Sequence, residues 1–169
     1  MVYLIVTLAV LARFIPHVFN FSPVYAALLF GGAHLRRRDS VWFPVALLVA
    51  SDIVLTNFLY RLNIGWMEVF QAAAFASIAL IGSILRSRFT AARFITACIA
   101  GPTAFYLISN FGVWFGWRTY PATSQGLIQC YVAAIPFYGR SLWSTFLFAG
   151  LLFGAYEFYL RHREGAPAI

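Results

Sequence analysis

Arg13-Phe-Ile-Pro-His-Val-Phe-Asn-Phe-Ser-Pro-Val-Tyr-Ala-Ala-Leu-Leu-Phe-Gly-Gly-Ala-His34 is the stretch whose reading decides the fold. Its first eleven residues hold Arg13, Pro16, His17, Asn20 and Pro23, inside a chain that is otherwise almost wholly apolar. In a bilayer, polar side chains and irregular backbone are costly unless they are buried in protein or line a wet cavity. The stretch is therefore expected to shape a pocket or to tie helices together.

Working outward, the composition supports a membrane setting. The 169 residues are 62% hydrophobic and 10% charged, with a mean hydropathy of +0.80. A soluble domain carries about 25% charged residues, so this chain lacks the polar surface that solubility demands. One transmembrane domain over residues 1–169 is expected. The apolar N-terminus, residues 1–12, has neither a basic leader nor a small-residue cleavage site, and reads as a retained helix.

Apolar segments at residues 1–15, 24–35, 41–60, 66–85, 91–115 and 141–160 predict an all-α integral membrane protein of about six transmembrane helices. Pro16 ends the first segment, and Gly101-Pro102 predicts a kink in the fifth. Residues 123–136 form an apolar stretch too short to cross a membrane. They predict a short interfacial or re-entrant helix between the fifth and sixth spans, capped by Thr123 or Ser124.

All 12 basic residues are arginines and net charge is +7. Arg36, Arg37, Arg38, Arg86, Arg88, Arg93, Arg161 and Arg163 fall on one side, which is 8, leaving 12 − 8 = 4 on the other: Arg13, Arg61, Arg118 and Arg140. By the positive-inside rule the majority side is cytoplasmic, so both termini lie inside a multi-pass inner-membrane protein. The arginines flank spans and form no extended face, which argues against nucleic acid as a partner. With no lysine there is no Schiff-base chemistry and no phosphate-loop lysine.

No catalytic motif is present, so no enzyme, no catalytic residue and no resident metal are expected, and the sequence names no cofactor. Cys98 and Cys130 fall at different depths, too far apart for a disulfide. The polar groups inside the spans are the candidates for solute binding. Asp52 lies ten residues past Trp42, so ~15 Å along its helix and near mid-bilayer. It is either a binding group or a paired structural carboxylate, with Arg13 the candidate partner. Thr56 and Tyr60 continue its face. Thr103, Tyr106, Asn110 and Trp114 form one stripe on the fifth helix, readable as a ligand wall or as helix-packing glue. His17 and Asn20 of the loop, with Gln129 and Tyr131 of the outer segment, complete the candidate set. Glu68 reads as an N-terminal helix charge, and His34 as an inner-interface residue. On this reading the Arg13–His34 stretch forms the lid or rim of one outer cavity.

Four stretches carry a resemblance. They are Arg13-Phe-Ile-Pro-His-x-x-Asn-Phe-Ser-Pro-Val with Ala-Leu-Leu-Phe-Gly-Gly-Ala; Ser51-Asp52; Asn110-Phe-Gly-Val-Trp114; and Tyr120-Pro-Ala-Thr-x-x-Gly126-Leu-x-x-Cys130-Tyr-Val-Ala-Ala-Ile-Pro136-Phe. Together they resemble an uncharacterised bacterial membrane family, DUF6580, which implies a role in transport. That family in turn looks like the substrate-binding components of energy-coupling-factor transporters, which implies capture of a vitamin-like or metal-related solute from the outer side. Trp143-Ser144-Thr145 stands where the family often has an acidic residue, and the first helix offers Ala9 and Ala12 in place of an A-x-x-x-A docking pattern. The alternative is a structural or accessory subunit of a larger membrane complex, with other membrane subunits as its partners.

Overall fold

A computed structural model describes residues 1–14, 21–55, 65–116 and 119–164, with side chains given as far as residue 162. Among the described residues every regular element is helical: α1 (Val2–Leu11), α2 (Val24–His34), α3 (Trp42–Val54), α4 (Trp66–Ser83), α5 (Ala91–Gly116) and α6 (Ser124–Glu164). Single turns of 3-10 helix extend α1 over Ala12–Phe14 and α4 over Ile84–Arg86. Two helical stretches, Trp66–Arg86 and Ala91–Gly116, are long and apolar enough to cross a membrane.

The centre of the bundle is α2. Nine of its eleven residues are buried, including Ala26, Ala27, Leu28, Leu29 and Phe30. A helix that is apolar all round can lie in the middle of a bundle without exposing a polar face. Two such helices can approach closely only where the residues between them are small. Here the fit is made by glycines. A Cβ on Gly32 would run into the Ala79 carbonyl oxygen and lie 3.0 Å from Gly82 Cα, and a Cβ on Gly82 would lie 2.7 Å from Leu29 Cα. The backbones of α2 and α4 touch where they cross. Half of the stretch expected to form a cavity rim is thus the core of the protein, while residues 15–20 lie outside the described residues.

Polar contacts gather the arginine-rich segments at one end. The Tyr3 hydroxyl donates to Asp39, and Trp42 Nε1 donates to the same carboxylate at 3.1 Å. The tyrosine hydroxyl holds Asp39 below its ordinary carboxylate pKa, because the bond favours the charged form. Arg86 Nη2 donates to the Gly32 carbonyl at 2.6 Å. His34 stacks on Phe30 and packs edge-on against Tyr156 of α6. The start of α1, the α2–α3 and α4–α5 connections and the end of α6 therefore share one end of the bundle. At the opposite end Glu68 accepts the Gly65 N–H at 2.7 Å, the helix N-terminal role expected of it.

One expectation needs correction. No separate interfacial helix precedes the last span: residues 124–164 form one helix of 41 residues. Residues 136–140 separate the expected short helix from the expected last span at 141–160, but all of them lie inside α6. Proline lacks an N–H, so Pro136 leaves the Val132 carbonyl without its helical donor. Bonds to α5 hold α6 on both sides of that gap. The Tyr106 hydroxyl donates to the Tyr131 carbonyl and the Tyr131 hydroxyl to the Leu107 carbonyl, both at 2.7 Å, while Thr103 and Tyr138 share a bond of 2.8 Å. α5 runs as one helix through Gly101-Pro102. Gly101 packs closely against Ile78 of α4 there.

Candidate functional site

Half way along the bundle, α1, α2 and α3 come level. Arg13 is ten residues beyond Tyr3, Asp52 ten beyond Trp42, and Val24 ten before His34, each about 15 Å from the arginine-rich end. At this level Arg13 Nη2 lies 2.5 Å from Asp52 Oδ1, with side-chain exposures of 17% and 14%. Arg13 Nη1 also donates to Ser51 Oγ at 2.9 Å, and Ser51 Oγ donates to the Leu48 carbonyl at 2.8 Å. The pair joins the 3-10 turn after α1 to the last turn of α3. A largely buried ion pair is costly to desolvate, and its hydrogen bonds offset that cost.

Beside this pair stands Tyr25, in the first turn of α2. Its hydroxyl lies close to Ser141 of α6 and within electrostatic reach of both Arg13 and Asp52. Tyr25 also lines a cavity of about 120 Å³ between α5 and α6, together with Tyr106, Ser109, Asn110, Tyr138 and Ser141. The space equals about four waters at ~30 Å³ each. Its walls pair hydroxyl and amide groups with the rings of Phe105 and Phe137, a lining that suits a small polar solute with an apolar edge.

The candidate residues from the sequence fall into three groups. Arg13 and Asp52 meet as an ion pair, and Asn110 lines the cavity. Trp114 and Tyr131 belong to the α5–α6 seam: Trp114 Nε1 donates to the Pro121 carbonyl at 2.9 Å, and Tyr131 bonds the Leu107 carbonyl. Asn110 also serves the seam, since Nδ2 donates to the Tyr106 carbonyl at 2.8 Å and its own carbonyl accepts Cys130 Sγ at 3.4 Å. Gln129 is exposed, turned away from the seam that buries Gly126 and Cys130. His17 and Asn20 lie outside the described residues, as do Thr56 and Tyr60. Among the described residues no three His, Cys, Asp or Glu side chains come together as metal ligands.

Sequence reasoning missed Tyr25, Tyr138 and Ser141. The signal was available in Ser141-x-x-Ser144-Thr145, polar residues at i, i+3 and i+4 in an apolar span. All three are buried, and their hydroxyls bond carbonyls of their own helix, as with Thr145 Oγ1 to the Ser141 carbonyl at 2.6 Å.

A family model described as a family of unknown function (DUF6580) matches residues 1–168. No curated protein and no solved structure matches the chain.

Proposed function

The chain belongs to the DUF6580 family, and we propose that it is a non-catalytic membrane transport protein that binds a small solute between α2, α5 and α6. In this reading six helices cross the inner membrane, both termini face the cytoplasm, and the solute enters from the outer side, as in the substrate-binding components of energy-coupling-factor transporters. One observation carries it: the Arg13–Asp52 pair sits half way along the bundle, beside Tyr25 and a cavity lined with hydroxyl groups. Ionisable groups at such depth mark solute and ion pathways. Asp52 serves a cationic group or a proton, Arg13 an anionic or heteroaromatic group, and Tyr25 and Ser141 link the pair to the cavity.

The cavity of about 120 Å³ suits a solute of a few heavy atoms. A vitamin-sized ligand requires α5 and α6 to part, and the seam bonds of Tyr131 and Trp114 are what would open. The test is uptake. Cells lacking the protein should lose accumulation of one solute in a broad screen, and Asp52→Asn should reduce that uptake at unchanged expression. Normal uptake of every solute by the deleted strain would refute the proposal.

A second reading, an accessory subunit of a larger assembly, draws on the outer face of α6. Arg140 and Trp143 lie one turn apart there, Arg140 exposed and Trp143 at 75% exposure. A cation on an apolar face suits an acidic residue on a neighbouring subunit. Gentle extraction separates the two readings: co-migration with a large assembly supports the subunit, a stable monomer supports the transporter.

A further inference from the structure

At the arginine-rich end, a cleft of about 820 Å³ opens between the α4–α5 connection and the last turns of α6. It is remote from the Arg13–Asp52 pair, and its walls change character with depth. Arg86, Arg88 and Arg161 stand among its lining, with Glu157 as the acidic member. Glu157 is already matched, since Arg161 Nε donates to it at 3.1 Å. That leaves two guanidinium groups without a carboxylate among the described residues. Arg86 Nη2 reaches the Gly32 carbonyl, while its buried Nε has no acceptor. Arg88 has no ion-pair partner among the described residues.

The remaining wall is aromatic and hollow. Phe89, Phe94 and Phe153 pack against one another. A Cβ placed on Gly150 or on Gly154 would meet nothing within 4 Å, so these two glycines, one turn apart, leave an open groove along α6. Phosphate recognition by arginine and a groove for a hydrocarbon chain thus lie side by side.

We propose that this cleft binds the headgroup and upper acyl chain of an anionic phospholipid. The inference rests on the membrane reading above, which sets the arginine-rich end at the bilayer surface. Basic pockets between membrane helices on the cytoplasmic side are suited to anionic headgroups. The volume falls within the range of small-molecule sites, roughly 300–1,000 Å³.

The test is native mass spectrometry of the full chain purified in detergent, titrated with phosphatidylglycerol, with phosphatidylcholine and with inorganic phosphate. Phosphatidylglycerol should be retained over phosphatidylcholine. Arg88→Gln should weaken retention about fivefold, the equivalent of ~1 kcal/mol. Gly154→Leu, which fills open space and should leave folding intact, should abolish the preference. Equal retention of the two lipids would overturn the proposal. So would a preference untouched by Gly154→Leu, or phosphate binding as tightly as the lipid with the same arginine dependence. A dimer that Gly154→Leu dissolves without altering lipid retention would assign the groove to a second copy of the chain. A protein that stays monodisperse without detergent would instead refute the membrane reading itself.

Discussion

Replacing Arg13 by leucine separates the structural and the functional roles of the mid-level ion pair. The substitution leaves Asp52 at 14% exposure with its nearest cation gone. It also removes the donor to Ser51 Oγ. Removing one partner of a buried pair costs about 3–5 kcal/mol, because an uncompensated charge stays behind. The residual exposure of 17% and 14% moves the expectation to the lower side, about 2–3 kcal/mol. That shifts the folded-to-unfolded ratio by about 30- to 150-fold. The double variant Arg13→Leu/Asp52→Leu removes both charges and should return most of the stability, since an apolar pair of similar volume is often neutral. Reversible unfolding in mixed micelles, followed by tryptophan fluorescence for wild type, both single variants and the double variant, gives the coupling directly. Uptake should fail in the double variant despite its recovered stability. A single Arg13→Leu variant as stable as the double would refute the buried pair. Full uptake by the double variant would show that the pair is only a structural tie.

Glycine positions provide a contrast. Gly82→Ala drives a Cβ into the Leu29 backbone and should destabilise by about 1–3 kcal/mol. Gly150→Ala meets nothing and should stabilise by about 0.5–1 kcal/mol through helix propensity; thermal melts in detergent compare the two. Asp39 provides a pH test. Its folded pKa is lowered by Tyr3, so its contribution is fully present above the ordinary carboxylate value and fades as pH falls through the lowered one. Tyr3→Phe should flatten that acid limb in a pH series of melts. Cys98 and Cys130 are both buried, so maleimide labelling should be slow in the folded protein and fast after unfolding; rapid labelling of Cys130 would contradict the close α5–α6 seam.

How much of the candidate site was legible follows from what each residue needed. Asp52 stood out because a carboxylate is rare ten residues into an apolar span, and Arg13 because it stands near the end of an apolar segment, just before Pro16. Their pairing spans 39 residues of chain and required the bundle to be assembled. The stripe Thr103–Tyr106–Asn110–Trp114 was visible from its spacing, but spacing does not say whether a stripe faces a solute or a neighbouring helix. Most of its hydrogen bonds go to α6 or to its own helix. Gln129 was chosen for its neighbours and turns outward. Residues 136–140 stood between the expected short helix and the expected last span. Hydrogen bonds from α5 hold α6 as one helix through them.

The sequence by itself determined the all-helical class, the family, the bounds of the first, second, fourth and fifth apolar segments and the grouping of the arginine runs. These depend on local chemistry: apolar run length, charge and chain-breaking residues. Tertiary structure alone decided that α2 is the centre, that α4 meets it backbone to backbone, and which polar groups face each other. The physical reason is the solvent. In water, apolarity distinguishes a buried face from an exposed one. On the membrane reading proposed above, lipid and protein interior are alike apolar, so Ala26–Ala33 carries no sign of whether it faces lipid or the core. Only the fit of Gly32 and Gly82 against a neighbouring backbone places it inside.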